Sequence, residues 1–363
     1  MQILQDYHAL HAVPETDRLL PKTLAYIQSR LAGLRCDTFS PDGEALCAFF
    51  HFGAPHTLAF RADMDAVLLA EGPVHACGHD GHTAMLLELA RWLDRETTLP
   101  HNVLLLFQPA EETGGGARRL CDSGVLANHS VCAVFGLHLW PKLPFGAIYS
   151  RDGPLMSSSC EIRVCFTGKS SHIAYPEQGR DALAAACRFY HRVQGLHLQD
   201  TGLLKFGQLT AGTAPNVICD RAVLAGSMRT FDEKVRKKLT RQLTGICKSA
   251  AYFTGCRGEI RFSEGYPAVV NSSVLYHRVN TLYPLKKLKK PVMTADDFSC
   301  YQQHVPGLYG LLGLGDVPPL HSPDFAFDPA VLLQGAEYYK TLCWEFPFSE
   351  SPMGACENKK TGV

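Results

Sequence analysis

Residues 75–82, HACGHDGH, place three histidines, one cysteine and one aspartate within eight positions. Cys77 and His79 stand two residues apart, with Gly78 between them. Thiolate and imidazole are both ligands of Zn²⁺ and related divalent ions. For this pair alone, two interpretations have about equal support: a metal site, and a buried cysteine beside a helix-capping residue. A cysteine nucleophile paired with His79 is a further alternative.

Four other segments end in side chains that can hold a metal ion or move a proton. They contain Asp63 and Asp65 in RADMD, Glu111 and Glu112 after NVLLLFQPA, His138 in AVFGLHLW, and His321 in PPLHSPDF. Adjacent glutamates repel each other unless a cation or a proton lies between them. Each signal alone also fits an ordinary structural role, such as a solvated strand end, a cap or a core histidine. Together they favour a metal site, because the segments bring these ligands to one rim of one sheet.

The surrounding segments predict an α/β domain that would position these side chains. Apolar residues at helical spacing predict helices over 16–34 and 82–96. Apolar runs predict strands at 57–60, 102–112 and 131–141. Strands that alternate with helices form α/β folds, and open α/β sheets hold their ligands at strand ends.

From about residue 157 the pattern changes to a β-α-β-β-α-β order that extends to about residue 264. This order predicts a ferredoxin-like α+β layer, with two helices on an antiparallel sheet. The expected fold class is α/β, in which a catalytic domain with a central, mostly parallel sheet flanked by helices carries this inserted layer. The catalytic domain would comprise residues 1–156 and 265–363, and the inserted domain residues 157–264. The polar tail at 349–363 is expected to be mobile.

The composition argues against several classes of function. Hydrophobic residues make up 46% and charged residues 19% of the 363 positions, as in a globular protein. Lys and Arg, 35 in total, balance 35 Asp and Glu, which argues against a nucleic-acid or anionic membrane partner. No apolar run is long enough to cross a membrane, and the N-terminus lacks a secretory pattern. The 14 cysteines are interpreted as mostly buried thiols of a cytoplasmic protein.

The three glycines at 114–116 raise a rival interpretation. A glycine-rich loop before a helix can bind phosphate. No Lys-Ser/Thr pair follows, and the segment GGGARRL matches neither the P-loop nor the dinucleotide-binding pattern. Phosphate binding is therefore the weaker interpretation.

The motifs as an ordered set resemble the M20 metallopeptidase-type amidohydrolases, in the subgroup of N-acyl-amino-acid deacylases. That subgroup includes N-acetyldiaminopimelate deacetylase, hippurate hydrolase and the auxin-conjugate hydrolases of plants. The resemblance extends from about Tyr7 to Trp344. It rests on RADMDAV, HACGHDGH, LLFQPAEETGGGA, GLHLWP, GKSSHIAYPE, TAPNVI, SMRTF, MTADDF with VPGLY, and LHSPDF.

The resemblance implies a dinuclear metal site. It implies that Cys77 bridges two divalent ions, with His79, Glu112, His138 and His321 as the other ligands. Much of the wider superfamily has His-x-Asp where this chain has Asp63-Met64-Asp65. His79 would supply the missing imidazole, and Asp63, Asp65 and His82 would orient the ligands. Mn²⁺, Zn²⁺, Co²⁺ and Ni²⁺ all suit such a mixed set of ligands.

The resemblance also implies roles in catalysis and substrate binding. Glu111 would be the general base. The inserted domain would be a lid and dimerisation domain, whose His172 reaches the active site of the neighbouring subunit of a homodimer. Asn216 and Arg229 would bind the substrate carboxylate. The expected reaction is hydrolysis of N-acyl, above all N-acetyl, amino acids.

Three departures from the family pattern bear on specificity. The segment 66–76 is short and lacks the usual Leu-Pro, the lid motif contains Ser-Ser in place of Gly-Gly, and Asp296 replaces a common glutamate. None removes an expected ligand. Two alternatives stay open, a dipeptidase or aminopeptidase on the same scaffold and a binding protein with structural metal ions. The uncommitted carboxylate of Glu111 argues against the second, because structural zinc sites are closed.

Overall fold

The computed structural model describes residues 1–196 and 198–346, so the whole of the tail at 349–363, together with residues 197, 347 and 348, lies outside the described residues. The described helices are α1 Gln2–His11, α2 Pro21–Leu31, α3 His79–Arg95, α4 Gly116–Asp122, α5 Val125–Asn128, α6 Ala182–Gln194, α7 Glu233–Thr254, α8 Ser273–Leu282 and α9 Leu332–Glu345. Short 3₁₀ helices lie at Pro176–Gln178, Gln199–Thr201, Asp297–Gln303 and Pro329–Val331. Within the described part of the chain, no helix is long and apolar enough to cross a membrane.

The described strands form one large sheet, one smaller sheet and two short antiparallel pairs, β4 with β5 and β9 with β14. They are β1 Asp37–Phe39, β2 Leu46–Phe50, β3 Thr57–Asp63, β4 Val67–Leu69, β5 Gly72–Val74, β6 Asn102–Gln108, β7 Val131–Trp140, β8 Ile148–Ser150, β9 Gly153–Met156, β10 Cys160–Thr167, β11 Gly202–Ala211, β12 Arg221–Thr230, β13 Arg257–Phe262, β14 Val269–Asn271, β15 Lys286–Lys287 and β16 Gly307–Gly313. The predicted central strands at 57–60, 102–112 and 131–141 correspond to β3, β6 and β7.

The large sheet has the order β1-β2-β6-β3-β7-β16-β8-β15. Its centre, β6-β3-β7-β16, is parallel, while β2 against β6 and β8 against β16 are antiparallel. Every residue of β3 and β6 is buried, as expected of strands covered on both faces. Because β3, β6 and β7 are parallel, their carboxyl ends lie at one edge of the sheet. This mixed, mostly parallel sheet confirms the expected fold class.

Helices cover both faces of the large sheet, so a hydrophobic core lies on each face. Successive residues of one strand belong alternately to these two cores. Leu58 and Phe60 of β3 pack with α1, α3 and α9, whereas Ala59 between them packs with α4 and α5. This alternation follows from the two-residue period of a strand. It fixes the register of β3, because a slip by one residue would exchange the two faces.

The smaller sheet lies within the predicted inserted segment and has the order β11-β12-β10-β13, antiparallel throughout. Residues of β10 alternate between buried and more exposed, because α6 and α7 cover one face of the sheet. Phe166, Phe189 and Leu243 belong to a core separate from those of the large sheet. The ferredoxin-like arrangement is thus present. The exact domain boundaries at 157 and 264 stay a prediction.

Candidate metal centre

The carboxyl ends of the central strands bring the predicted site residues to one edge of the large sheet. Asp63 is the last residue of β3, Glu111 follows β6 by three positions, and His138 lies near the end of β7. His79 is the first residue of α3, which begins three residues earlier than the sequence predicts. Gly78 before it has a φ of +84°, and a Cβ there would lie 2.9 Å from Leu139 Cδ1. Only glycine therefore fits between Cys77 and His79.

The five predicted ligands form overlapping groups whose ligand atoms lie within 4.8 Å of one another. Cys77 belongs to two of these groups, one with His79 and His138 and one with Glu112 and His321. Its Sγ lies 3.6 Å from His138 Nε2. His321 Nε2 lies 3.1 Å from Glu112 Oε1, and His79 Nε2 lies 3.9 Å from the same oxygen. The thiol therefore stands between two sets of candidate ligands.

Backbone carbonyls orient two of the imidazoles toward this cluster. His79 Nδ1 donates to the carbonyl oxygen of Asp65 at 2.8 Å, and His138 Nδ1 donates to that of Leu139 at 2.7 Å. A carbonyl can only accept, so each neutral ring carries its proton on Nδ1 and presents the lone pair of Nε2 to the cluster. Burial also lowers the pKa of His138 to about 4, which keeps the ring neutral. Both rings are thus prepared as metal ligands.

One buried polar atom in the cluster, His79 Nε2, has no hydrogen-bond partner, and Asp63 Oδ2 lies 3.5 Å from it. Such atoms are rare in folded proteins, because an unsatisfied buried polar group is costly. Burial raises the pKa of the Cys77 thiol well above its usual range, so a thiolate there needs a cation nearby. The thiol, imidazole and carboxylate set suits Zn²⁺, Mn²⁺, Co²⁺ or Ni²⁺. The residues present therefore fit the metal ions that the resemblance implies.

His82 is close to the cluster, but both of its nitrogens are engaged. Its Nδ1 lies 2.5 Å from Asp63 Oδ1, and its Nε2 accepts the N–H of Leu139 at 2.9 Å. The second oxygen of Asp63 accepts from Arg61 at 2.8 Å. Asp63 and His82 are therefore placed to orient neighbouring groups of the site through hydrogen bonds.

Asp65 organises both halves of the cluster. Its Oδ1 accepts the N–H of Glu111 and its Oδ2 accepts the N–H of Glu112, each at 3.1 Å. Its carbonyl oxygen holds His79. One aspartate thus fixes the positions of two carboxylates and one imidazole.

Replacement of Asp65 with asparagine is expected to lower metal affinity by about 10- to 100-fold. The reason is that an amide nitrogen would then face one of the two backbone N–H donors. Metal titration of the chelated protein measures this change. Asp122→Asn, at the exposed end of α4, is the matched control. Equal affinities for Asp65→Asn and wild type would show that Asp65 has no orienting role.

Glu111 is buried next to the ligand cluster, in a group with His79 and Glu112. Burial raises the pKa of Glu111 well above its usual range, and the neighbouring Asp296 and Glu112 add to this effect. A carboxyl group with a raised pKa can accept a proton and return it at neutral pH. Its position and environment therefore suit acid–base chemistry.

Two backbone features of the site were not evident from the sequence. Ala110, just before Glu111, has a φ of +57°, and His321 has a φ of +62°. Non-glycine residues rarely adopt this region, and those that do are concentrated at functional sites. The carbonyl oxygen of Ala110 accepts from Gly116 at 3.2 Å, and the N–H of His321 donates to Ala76 at 2.8 Å. These bonds hold the strained residues in place.

A buried ion network below the site was also missed. Arg61 is buried and donates to Gln108 at 2.9 Å, to Asp63 at 2.8 Å and to Asp297 at 2.6 Å. Burial raises the pKa of Asp297 to about 7, although Arg61 opposes this shift. One feature of the sequence could have indicated this network. Arg61 lies within the mostly apolar run TLAFRAD, and a charged side chain that is buried with such a strand requires charged or polar partners.

Tyr266 follows the end of the inserted segment by two residues and contacts the loop that carries Glu111. Its backbone pairs with Ser159 through bonds of 2.9 and 3.1 Å, so the two chain segments that enter and leave the smaller sheet lie side by side. Its hydroxyl donates to the carbonyl oxygen of Glu111 at 3.2 Å. Its ring packs against Gly115, where a Cβ would lie 3.2 Å from the ring.

Tyr266→Phe is expected to lower kcat by about 2- to 10-fold, the effect of one hydrogen bond of about 0.5–1.5 kcal/mol. KM and metal content should stay unchanged, because the phenyl ring still packs on Gly115. Steady-state kinetics with metal analysis measure all three quantities. A change in metal content without a change in kcat would contradict this role.

Arg229 lines the same cavity as the candidate ligands, whereas His172 and Asn216 do not. This cavity has a volume of about 680 Å³. His172 forms an isolated bridge with Val217, and the N–H of Ile173 donates to Asn216 at 3.0 Å. His172 and Asn216 therefore lie together on the inserted segment, apart from Arg229.

Comparisons with known proteins bear on the family to which the chain belongs. A family model described as peptidase family M20/M25/M40 matches residues 59–345. An uncharacterized hydrolase of Staphylococcus haemolyticus is 34% identical, over 93% of this chain and 96% of that protein. YxeP of Bacillus subtilis, described as a dinuclear metal binding peptidase from the M20 family, has a TM-score of 0.83 and 26% identity, with 94% and 96% of the two chains covered. The aminobenzoyl-glutamate utilization protein of Klebsiella pneumoniae shares the fold, with a TM-score of 0.69 and 22% identity over 94% and 95% of the chains.

These matches confirm the family that the motifs indicate, while the deacylase subgroup stays a prediction. The relative and the two structures are covered over nearly their whole length. The family match spans the segments that carry all five candidate ligands. The chain belongs to the peptidase family M20/M25/M40.

Proposed function

We propose that this metal-dependent hydrolase cleaves the amide bond of N-acyl amino acids, with N-acetyl compounds as the first candidates, in the cytoplasm. The products would be a carboxylate and a free amino acid. The observation that carries the proposal is one cavity lined by four of the five candidate ligands, by the buried Glu111 and by the cation Arg229. An N-acyl amino acid presents one amide and one carboxylate, which match these two halves of the cavity.

Two divalent ions would be held by the five candidate ligands, with Cys77 shared between them. When bound, such ions polarise an amide carbonyl and lower the pKa of water from about 16 to about 7. Glu111 would accept a proton from the attacking water and deliver it to the leaving amine. Asp65 would hold Glu111 in place through its backbone N–H.

Arg229 would bind the substrate carboxylate through its planar guanidinium. Within the described residues, no carboxylate forms an ion pair with it, so the group is available to a ligand. Asn216 and His172 would reach the cavity from the second subunit of a homodimer. Their separation from the cavity of their own chain supports this arrangement. His172 Nδ1 accepts the N–H of Ala174 at 3.1 Å, which leaves Nε2–H free to donate to the developing oxyanion.

A dipeptidase or aminopeptidase is the second candidate function. YxeP, which shares the fold and 26% of its sequence, is described as a peptidase. A peptide substrate has a free ammonium group, which needs an acidic partner. Asp296 lines the cavity, but its carboxylate already accepts from Tyr309 at 2.6 Å and from the N–H of Phe298 at 2.8 Å. This favours the N-acyl substrate.

Amine release from an N-acetyl amino acid and from a dipeptide with the same C-terminal residue separates the two functions. Chelated protein should be inactive, and Mn²⁺ or Zn²⁺ should restore cleavage of the N-acetyl compound above that of the dipeptide. Preferential cleavage of the dipeptide would instead assign a peptidase. No metal-dependent release from either compound would reject both.

A further inference from the structure

Residues 7–17 form a strap that consists of the second half of α1 and the loop that follows it. This N-terminal strap contains none of the five candidate ligands, but it contacts four segments that carry the site. Loops are the mobile parts of a fold, whereas metal ligands must be held within about 0.5 Å of their productive positions. A segment that is bonded to several ligand-bearing loops can therefore hold them in one arrangement.

His11, at the end of α1, binds the first turn of α3. Its Nδ1 donates to Asp80 Oδ2 at 2.7 Å, and Asp80 Oδ1 accepts the N–H of Gly81 at 2.8 Å. The Asp80 side chain is fully buried, while that of His11 is 45% exposed. Because a buried carboxylate that loses its donor is costly, this bond holds Asp80, and with it the adjacent ligand His79, against α1.

Glu15 joins the strap to the loop after β3. Its carbonyl oxygen accepts the N–H of Ala66 at 2.7 Å, and Ala66 directly follows Asp65. Its carboxylate accepts the N–H of Thr23 at 2.9 Å and the hydroxyl of Thr23 at 3.0 Å, in the first turn of α2. The middle of the strap is thus fixed to α2 and to a loop of the site at the same time.

Asp17 joins the end of the strap to the loop that carries Glu111 and Glu112. Asp17 Oδ1 accepts from the hydroxyl of Thr113 at 2.8 Å, and Thr113 directly follows Glu112. Asp17 has a φ of +71°, a region that non-glycine residues rarely adopt. Residues strained in this way are concentrated at functional sites, and this one bonds to a ligand-bearing loop.

Tyr7, in α1, contacts the segment that follows His321. Its ring centroid lies 5.2 Å from that of Phe327. The ring of Phe327 also lies against the start of α3, where a Cβ on Gly81 would be 3.3 Å from Phe327 Cζ. The strap, α3 and the segment that carries His321 therefore meet at one aromatic ring.

We infer that the N-terminal strap positions the metal centre, with His11 and Asp17 as positioning residues that raise its affinity for divalent ions. Neither residue lines the cavity. They act through Asp80 and Thr113, each of which adjoins a candidate ligand. Because the strap orders these loops when the chain folds, less ordering is left for the step of metal binding, and the affinity rises. This inference rests on the metal centre of the proposed function and adds to it residues outside the cavity.

A Co²⁺ titration of the chelated protein tests the role of His11. His11→Ala is expected to lower the affinity of at least one site by about 10- to 100-fold, the effect of losing an orienting hydrogen bond behind a ligand. The visible spectrum of bound Co²⁺ should also change, because it depends on the arrangement of the ligands. His11→Asn should stay within about threefold of wild type, since its amide nitrogen can replace Nδ1 as the donor to Asp80. Each titration is run at a temperature at which circular dichroism shows that the variant is folded.

His8→Ala is the matched control, because His8 is exposed on α1 one turn before His11. It should bind Co²⁺ as wild type does. If His11→Ala has the affinity and spectrum of wild type, or if His11→Asn is as impaired as His11→Ala, the positioning role of His11 is wrong. If wild-type protein binds no Co²⁺, the metal centre of the proposed function fails, and the inference fails with it. The titration of wild type therefore separates the two failures.

Asp17→Gly tests the second contact independently. Glycine adopts the φ of this position without strain, so the variant removes the bond to Thr113 and leaves the backbone unchanged. It should lower the affinity for Co²⁺ by about 2- to 10-fold, the effect of one hydrogen bond. Asp17→Asn should match wild type, because its amide oxygen still accepts from Thr113.

Thr113→Val should have the same effect as Asp17→Gly and add nothing to it, because both changes remove the same bond. Co²⁺ titrations of the two single variants and the double variant measure this coupling. Wild-type affinity in Asp17→Gly, or additive losses in the double variant, would show that Asp17 does not position the loop.

Discussion

Replacement of Glu111 with glutamine is expected to lower kcat by about 10²- to 10⁴-fold, the range that a general base contributes. The variant keeps the size and burial of the side chain but can no longer accept a proton. Metal binding should persist, because the five candidate ligands are unchanged and the backbone N–H of residue 111 still donates to Asp65. Steady-state amine release together with metal analysis of the same sample measures both properties.

Glu71→Gln provides the matched control, because this glutamate is exposed in the turn between β4 and β5. It should leave kcat within about twofold of wild type, as surface substitutions usually do. If Glu111→Gln stays within a few-fold of wild type, the proton is carried by another group. A variant that loses metal as well would instead make Glu111 part of the metal site.

His172→Ala is expected to lower kcat by about 10²- to 10³-fold without loss of folded protein or bound metal, the effect of losing one oxyanion donor. The reason is that His172 would donate to the oxyanion from the neighbouring subunit. His191→Ala, at an exposed position of α6, tests for non-specific effects of a histidine loss on the same domain. Activity close to wild type in His172→Ala would remove this residue from the mechanism.

Hybrid dimers test whether His172 acts between subunits. After His172→Ala and Glu111→Gln chains are mixed, unfolded and refolded together, about half of the dimers should be hybrids. One of the two sites in each hybrid then has both an intact Glu111 and an intact His172 of the partner subunit. Activity should recover to about a quarter of wild type. No recovery in verified hybrid dimers would place His172 within its own chain or outside the reaction.

The central strands could be predicted because their apolar runs are set by burial on both faces. The runs in β3, β6 and β7 end in polar residues, and parallel strands must bring such ends to one edge. The β-α-β-β-α-β order likewise predicted the smaller sheet, because α6 and α7 show helical patterns between strands of alternating burial. The ligand set was predicted from the family motifs, because each of these residues taken alone also fits an ordinary structural role.

The supporting contacts could not be predicted because they join residues that are distant in sequence. Arg61 meets Asp297 across 236 positions, and Tyr266 meets Glu111 across 155. No local pattern encodes such pairs. The positive φ of His321 also depends on its contact with Ala76, which is formed only in the folded chain. The sequence therefore predicts which groups gather at the site better than it predicts what holds them there.

The most direct test of the central claim is a metal titration in which bound ions and amine release are measured on the same chelated sample. The account predicts no release from ion-free protein and full release when two divalent ions are bound per chain. Cys77→Ala should lower both occupancy and activity, since this thiol lies between the two sets of ligands. Undiminished amine release from ion-free protein would contradict the account.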